Sequence, residues 1–390
     1  MANTNRSGSW ALGVLIALIS LACAALFLTL LLPISRTVGA ALPAPPPEER
    51  VRTALAITPD FDRSVRNLSA AAMEGLLPIP KSYRLAEDLV VAPAPDPAGF
   101  GASRDPADSA DVLAAAAVLL DGQDTLWRTD MPVMAGTDVR WYLDDTIFAI
   151  AWKQGIGSSC YSFSEVKIAD ASQFRRYLAD DSFSSQVQHL PTEMARSVNA
   201  VTALSGDFYK FRKNGIVVYR RQLFRTDGKN LDTCFVDGNG DLRFVPRGTL
   251  TDEAEMQRYI EENDILFSLA FGPTLIENGV DVCPASYPIG EVNTTYSRTA
   301  ICQMGPLHYL LVTVNYDDPY VGVATIRGLT DTLLSLGVPN AYTLDGGQTS
   351  TLVFNGSTVN HVDYGNERYQ SDIVFFATAI PAEERGQDDG

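Results

Sequence analysis

A sheet-rich α+β fold, held as one domain behind an N-terminal transmembrane helix and a Pro/Ala-rich stalk, is what this sequence of 390 residues predicts. Three observations carry that expectation. The chain opens on a long apolar run without charge, continues through a proline-rich stretch, and from about Thr137 changes to short β-branched and aromatic runs bounded by turn residues. With 46% hydrophobic and 20% charged residues, the chain can bury a substantial core.

Trp10 to Leu32 are 23 consecutive uncharged residues, about 34 Å of helix and enough to cross a bilayer. The expected division is a short cytoplasmic tail at 1–9, a signal-anchor helix at 10–34, and the rest outside the cytoplasm as a single-pass cell-membrane protein. A cleaved signal peptide ending at Val38-Gly39-Ala40 is the competing reading, but the apolar core of such a peptide ordinarily runs about 7–15 residues. Residues 37–390 carry 28 basic against 47 acidic side chains, which argues against nucleic acid or an anionic membrane surface as partner of the domain.

Between Pro43 and Pro97 stand 10 of the 22 prolines, interleaved with alanine, a composition that favours extended chain over a packed core. Residues 35–136 are read as a stalk on that basis, interrupted by two stretches suited to short helices, Val51 to Leu77 and Asp111 to Leu120. The domain is then expected at 137–385. WYLDDTIFAIAWKQG, YSFSEVKIA, ALSGDFYKF, GIVVYRRQLFR, ILFSLAFG, RTAICQM, YLLVTVNY and DIVFFATAI read as its strands. Ser172 to Leu178, Thr192 to Asn199, Thr251 to Glu262 and Thr325 to Leu336 have helical spacing, with Thr192 and Thr251 as N-caps and Gly337 as a stop.

Cys160, Cys234, Cys283 and Cys302 lie outside the apolar run, an even number that suits either two disulfides in an exported domain or four buried free thiols. With three histidines and no Cys/His cluster, a zinc site is not expected. Asp237-Gly-Asn-Gly-Asp241 starts like a calcium loop, but Leu242 and Gly248 stand where such a loop needs glycine and a carboxylate, so it reads as a β-turn. No cofactor is expected; a calcium ion held by backbone carbonyls and scattered carboxylates is left open.

The most informative stretch is YTLDGGQTSTLVFNG, Tyr342 to Gly356. A β-type run delivers Asp345, Gly346 and Gly347 into a hydroxyl-rich corner, from which a second apolar run departs. Glycines that take φ > 0 let backbone N–H groups converge on an anion; the plainer reading is a hairpin turn. Four further segments bear on the choice: ALSGDFYKFRKNGIVVYRRQLFR (203–225), FSLAFGPTLIENGV (267–280), YSRTAICQ (296–303) and VNHVDYGNERYQSDIVFFA (359–377).

In this order, with LDGGQTSTLVFNG between the last two, the segments resemble the phosphodiester glycosidase family, over about residues 139–380. The family pattern runs AxNGDYY or NGGFF, FGPxLxxxG, PRTAIG, NLDGGGSST, then VN with ER before a closing strand. This chain departs from it at Ser205 (usually Asn), Ser297 (often Pro), Cys302 (usually Gly) and Gln348 (commonly a third Gly).

The resemblance implies a membrane-anchored, extracytoplasmic hydrolase that cleaves a sugar from a sugar-1-phosphodiester in a cell-wall or exopolysaccharide glycan, releasing free sugar and a phosphomonoester. Such a bond breaks through an oxocarbenium-like transition state with a weakly basic phosphate leaving. The site therefore needs a cationic, N–H-rich cradle on one side and a carboxylate on the other. Arg298, beside the Gly346 and Gly347 backbone, is the expected cradle; Asp345 and Asp207 are the expected catalytic carboxylates, with Glu367 in reserve. Gly206, Gln348, Thr349, Ser350 and Arg368 complete the expected substrate contacts, while the histidines read as structural and His361 is the one near the site. The partners are then a glycan or sugar-phosphate and, through the N-terminal helix, a membrane. Two alternatives use the same residues: a glycosyl or phosphoglycosyl transferase of exopolysaccharide assembly, and a non-catalytic wall-glycan-binding module. Serine-hydrolase chemistry is disfavoured by the lack of a G-x-S-x-G elbow.

Overall fold

The run YLLVTVNY shows why the sheet forms where it does. In the strand His308–Asn315 every residue is buried. Leu310, Val312 and Val314 face one apolar cluster while Tyr309 and Leu311 face another, the period-2 division of a strand covered on both sides. The computed structural model describes residues 83–288, 292–320 and 322–381. The expected tail, the apolar run 10–34 and the stalk as far as residue 82 lie outside the described residues. Among the described residues no helix is long and apolar enough to cross a membrane.

His308–Asn315 is the middle strand of a nine-stranded sheet, ordered Phe100–Ser103, Val139–Leu143, Ile147–Ile156, Ser159–Ile168, His308–Asn315, Arg298–Gly305, Asn340–Leu344, Thr274–Glu277, Val280–Asp281. All its pairings are antiparallel. A five-stranded sheet, Ser357–Thr358, Leu352–Phe354, Thr202–Ser205, Asp372–Phe376, Phe174–Leu178, contributes Leu204, Leu352, Phe354, Val374 and Phe376 to a shared core with Ile301, Leu311, Tyr342 and Leu344 of the larger sheet. The helices Ala110–Leu120 and Ile326–Ser335 bury Ala116, Leu120, Ile326, Leu329 and Leu333 on the other face of the large sheet. Each fully buried side chain of this kind is worth about 1.5–3 kcal/mol of transfer free energy, so the α+β core is held by burial on both faces of the central sheet.

Two expectations are corrected here. The domain does not start near 137: the Phe100–Ser103 strand pairs with Val139–Leu143, and Trp127 is fully buried against Trp152 with ring centroids 5.1 Å apart. The buried Glu165 carboxylate accepts the N–H groups of Leu126 and Trp127 at 2.8 and 2.9 Å. Leu85 and Ala92 pack into the cluster around the helix Pro191–Ser197. The chain through Pro93 and Pro95 has no regular secondary structure, and Asp96 then caps the short 3₁₀ turn Pro97–Gly99, its side chain accepting the Ala98 N–H at 2.9 Å.

Ser172 to Leu178 is not a helix either. Gln173 folds back, accepting the Ala169 and Asp170 N–H groups at 3.1 and 3.0 Å and donating to the Ala377 carbonyl at 2.9 Å. That stops a short 3₁₀ turn, and Phe174–Leu178 continues as a strand paired with Asp372–Phe376. Thr192–Asn199 and Thr325–Leu336 correspond to helices Pro191–Ser197 and Ile326–Ser335; the first begins after Leu190, so that Thr192 lies in its first turn and is not its cap, and the second is capped by Thr325 and followed by Gly337 at φ +77°. The helix Glu253–Glu262 is capped by Asp252, one residue beyond the expected Thr251. All four cysteines are buried free thiols. The Asp237 turn joins two paired strands: its Oδ1 accepts the N–H groups of Asn239 and Asp241, both at 2.9 Å.

Candidate active site

Strands from both sheets end together at one place. Asn340–Leu344 runs out into Asp345, Thr202–Ser205 runs out into Gly206 and Asp207, and the Asp345 N–H donates to the Gly206 carbonyl at 3.4 Å. The residues at this junction explain the glycines. A Cβ on Gly346 would stand 2.4 Å from the Ser297 carbonyl oxygen, and one on Gly206 would stand 2.0 Å from an Asp372 carboxylate oxygen. Gly346 is extended, and only Gly347 takes a positive φ, +61°.

The turn is not an open anion nest. The Gly347 N–H donates to the Ser297 carbonyl at 2.7 Å, Thr349 N–H to Gly346 at 3.3 Å, and Ser350 N–H to Gly347 at 3.0 Å. The Thr349 hydroxyl donates to the Gly346 carbonyl and that of Ser350 to the Arg298 carbonyl, at 3.0 Å for the latter. The corner's donors are engaged in holding its own shape: the Gly347 amide and the Thr349 and Ser350 hydroxyls, expected as substrate contacts, bond within the turn and to the Ser297 and Arg298 carbonyls. Gln348 is half-buried and donates to the Asn366 carbonyl at 3.3 Å, tying the turn to the loop that carries Glu367 and Arg368. Ser205 is fully buried, its hydroxyl accepting the Thr351 N–H at 3.2 Å, so this departure from the family pattern serves the scaffold.

The carboxylates expected at the site divide sharply. Asp207 has a side chain with no exposure: its Oδ1 meets Arg176 at 2.8 Å and the Tyr209 N–H at 2.9 Å, and its Oδ2 accepts the Ala270 N–H at 2.8 Å. Arg176 also binds Asp372 at 2.7 Å and donates to the Ser268 carbonyl. Two buried acids thus share one guanidinium, and burial beside Asp207 pushes the Asp372 carboxyl upward. Glu367 caps the helix Pro191–Ser197 from a distant loop, accepting from the Thr192 N–H at 3.1 Å and its hydroxyl at 2.7 Å.

Asp345 has no guanidinium in contact. It is half-buried and forms no ion pair with any described residue. Burial pushes its carboxyl from 3.8 up to about 6, against the pull of Thr349, of the positive charges of Arg212 and Arg368, and of the Gly346 N–H.

The cations are not where the sequence placed them. The Arg298 Nε donates to the Ala324 carbonyl at 3.1 Å and its Nη2 to the Thr294 carbonyl, and its guanidinium lies 5.3 Å from the Tyr296 ring. Buried in this way, it ties the loop before the Arg298–Gly305 strand to the loop before the helix Ile326–Ser335. The charges acting on Asp345 are Arg368, exposed over Phe208 and Phe211 at 6.0 and 5.7 Å, and Arg212. Arg212 went unnoticed in the sequence; its signal was its place in FYKFRK, directly after the aromatic part of the Gly206-Asp207 motif.

Exposed aromatic side chains gather on the same loops: Phe211 under Arg368, Tyr296 beside Arg298, Tyr316 against His361, and Tyr364 and Tyr369 around Glu367. Of the other histidines, His308 is bound to Glu165 at 2.8 Å and His189 to Asp180 at 2.9 Å, away from this junction. Among the described residues no group of His, Cys, Asp or Glu side chains converges to hold a metal ion.

Residues 198–377 match the family model for phosphodiester glycosidase. The chain carries a phosphodiester glycosidase domain. The matched region holds the whole junction, from Gly206 and Asp207 through Arg212 and Asp345 to Arg368, and the domain is accordingly that of a hydrolase acting on sugar phosphodiesters. Among solved structures, the zebrafish N-acetylglucosamine-1-phosphodiester alpha-N-acetylglucosaminidase catalytic domain, auto-inhibited by its pro-peptide, is similar at 16% identity with a TM-score of 0.46, over 67% of this chain and 92% of that one. A hypothetical protein from Synechocystis is similar at 14% identity with a TM-score of 0.44, over 64% of each chain. No curated protein sequence matches the chain.

Proposed function

We propose that this phosphodiester glycosidase domain removes a sugar from a glycan-linked sugar-1-phosphodiester, with Asp345 as its catalytic carboxylate, and that residues 10–34 anchor it to a membrane with the domain outside the cytoplasm. The observation that carries the reading is that Asp345 is a half-buried carboxylate without an ion pair among the described residues, on which the charges of Arg212 and Arg368 act. An ordinary glycosidase needs a second carboxyl to protonate its leaving group. Phosphate leaves without that help, and the other carboxylates near this junction, Asp207, Asp372 and Glu367, are already engaged.

In the reaction, water attacks the anomeric carbon and gives its proton to the Asp345 carboxylate. The bond from that carbon to the bridging oxygen breaks, and the electron pair leaves with the phosphate. The products are the free sugar and a phosphomonoester, and the proton passes from Asp345 to solvent. The rim of exposed tyrosines supports a glycan as substrate, since an aromatic face offers an apolar body to a sugar ring while its polar edge stays wet. The uncharged run at 10–34 supports the anchor.

The test is release of free sugar from a synthetic N-acetylglucosamine-1-phosphodiester by the full chain and by Asp345→Asn. Turnover falling at least about 10²-fold in the variant, with its fold intact, is the expected outcome. Turnover that survives the substitution, or glycan binding without turnover in the wild type, would overturn the reading.

A further inference from the structure

Arg212 stands apart from the other buried cations of this domain. Its guanidinium carbon lies 4.4 Å from the centre of the Phe271 ring and 5.0 Å from that of Phe208. Its Nη1 is enclosed without a hydrogen-bond partner. Arg176 and Arg298, by contrast, are bound to carboxylates or backbone carbonyls. An enclosed donor left unmade is costly and calls for an explanation.

The clamp is built, not incidental. Phe208 and Phe271 belong to two segments far apart in sequence, and Asp207 ties them together: one oxygen takes the N–H of Tyr209, next to Phe208, and the other takes that of Ala270, next to Phe271. Arg176 in turn holds Asp207. Both rings lie against the guanidinium carbon, and the donors of the guanidinium, which lie in its own plane, are its means of binding. In that position Arg212 acts on Asp345 by its charge, and Asp345 on Arg212, yet the two do not form an ion pair.

We infer that Arg212, and not Arg298, is the residue that binds the phosphoryl group, with the planar fork meeting the non-bridging oxygens and Asp207 acting as a positioning residue for the clamp. The inference rests on the phosphodiester reading of the site. A planar fork suits a tetrahedral oxyanion, and the phosphomonoester product carries more negative charge than the diester, so attraction to Arg212 grows as the bond breaks. That places the contact where it assists the departure of the leaving group. Exposed Arg368, 6.0 Å from the centre of the Phe208 ring, adds positive charge beside the clamp.

The experiment uses the full chain and inorganic phosphate as probe, measured by calorimetry, beside turnover of the synthetic diester. Arg212→Ala is expected to lower phosphate affinity and kcat/KM by about 10²-fold or more, and millimolar methylguanidine, entering the slot between Phe208 and Phe271, is expected to restore part of both. Arg212→Lys keeps the charge and loses the fork, so it should fall between Arg212→Ala and wild type. Arg298→Lys is expected to bind phosphate within about twofold of wild type. Asp207→Asn should weaken phosphate binding and, because the clamp rather than Arg212 is damaged, show no methylguanidine rescue. Phosphate binding and turnover that survive Arg212→Ala would overturn the inference, as would phosphate binding abolished in a folded Arg298→Lys. If the wild type releases no sugar but phosphate binding still depends on Arg212, the anion site stands and the reaction reading fails.

Discussion

Asp207 and Asp345 sit at neighbouring strand ends, linked by the hydrogen bond from the Asp345 N–H to the Gly206 carbonyl, and they could hardly be treated more differently. Asp207 is buried with each oxygen satisfied and a guanidinium in contact. Asp345 is less buried and has no ionic partner, and burial pushes its carboxyl up to about 6. A buried charge that is fully partnered becomes part of the frame. A charge that the fold desolvates without pairing stays reactive. Arg176 and Arg212 repeat the contrast on the cationic side.

The largest expected effect separates the two aspartates directly. Asp345→Asn should lower kcat/KM by about 10²–10⁴-fold while leaving the cooperative unfolding transition intact. Asp207→Ala should instead destabilise the domain by about 3–5 kcal/mol, because Arg176 loses one of its carboxylates and two backbone N–H groups lose their acceptor. Chemical denaturation of both variants checks this. Equal loss of stability in the two would erase the distinction.

The frame has a second test. A chain starting at residue 130 lacks the Phe100–Ser103 strand, the Ala110–Leu120 helix and Trp127, so it should fail to unfold cooperatively, whereas a chain starting at residue 83 should unfold like the full-length protein. Thermal melts of the two fragments decide it.

The pH dependence sharpens the contrast further. The folded-state pKa of Asp345 is raised, so its ionisation works against folding: the penalty is absent below about pH 3.8 and fully present above about 6. Asp345→Asn is therefore expected to gain up to about 3 kcal/mol over wild type at pH 7.5 and close to nothing near pH 3.5. In the wild type, kcat/KM should climb with pH through about 6 and then level off, since the proposed base works ionised. A profile that falls through that range would mean the proton on Asp345 is what the reaction uses.

The smallest effect is expected at Glu367. Glu367→Gln weakens a helix cap and should cost about 1 kcal/mol in a denaturant titration, with turnover within a few-fold of wild type.

Much of the fold was legible. The β-branched and aromatic runs DIVFFATAI and YLLVTVNY, the Asp237 turn, the stop at Gly337 and the strand that ends in Asp345 all show in local residue types, and these are what strand composition and turn chemistry report. The stretch Ser172 to Leu178 misled because its helical spacing is overruled by Gln173 bonding to Ala377, more than two hundred residues away. Residues 83–136 misled because proline composition describes an extended backbone, not whether that backbone lies on a sheet edge.

The site divides along the same line. The sequence by itself determined that an aspartate and two glycines would meet at a strand end beside the Gly206-Asp207 motif, because turn geometry and close backbone approach demand those residue types. Tertiary structure alone decided which charges are available there. Arg298 and Arg212 are the same side chain in segments of similar character, yet one is met by the Ala324 and Thr294 carbonyls and the other by two aromatic rings, with the charge of Asp345 acting on it without an ion pair. A charged group's role depends on which acceptors reach it, and those acceptors arrive from parts of the chain brought near only by the fold.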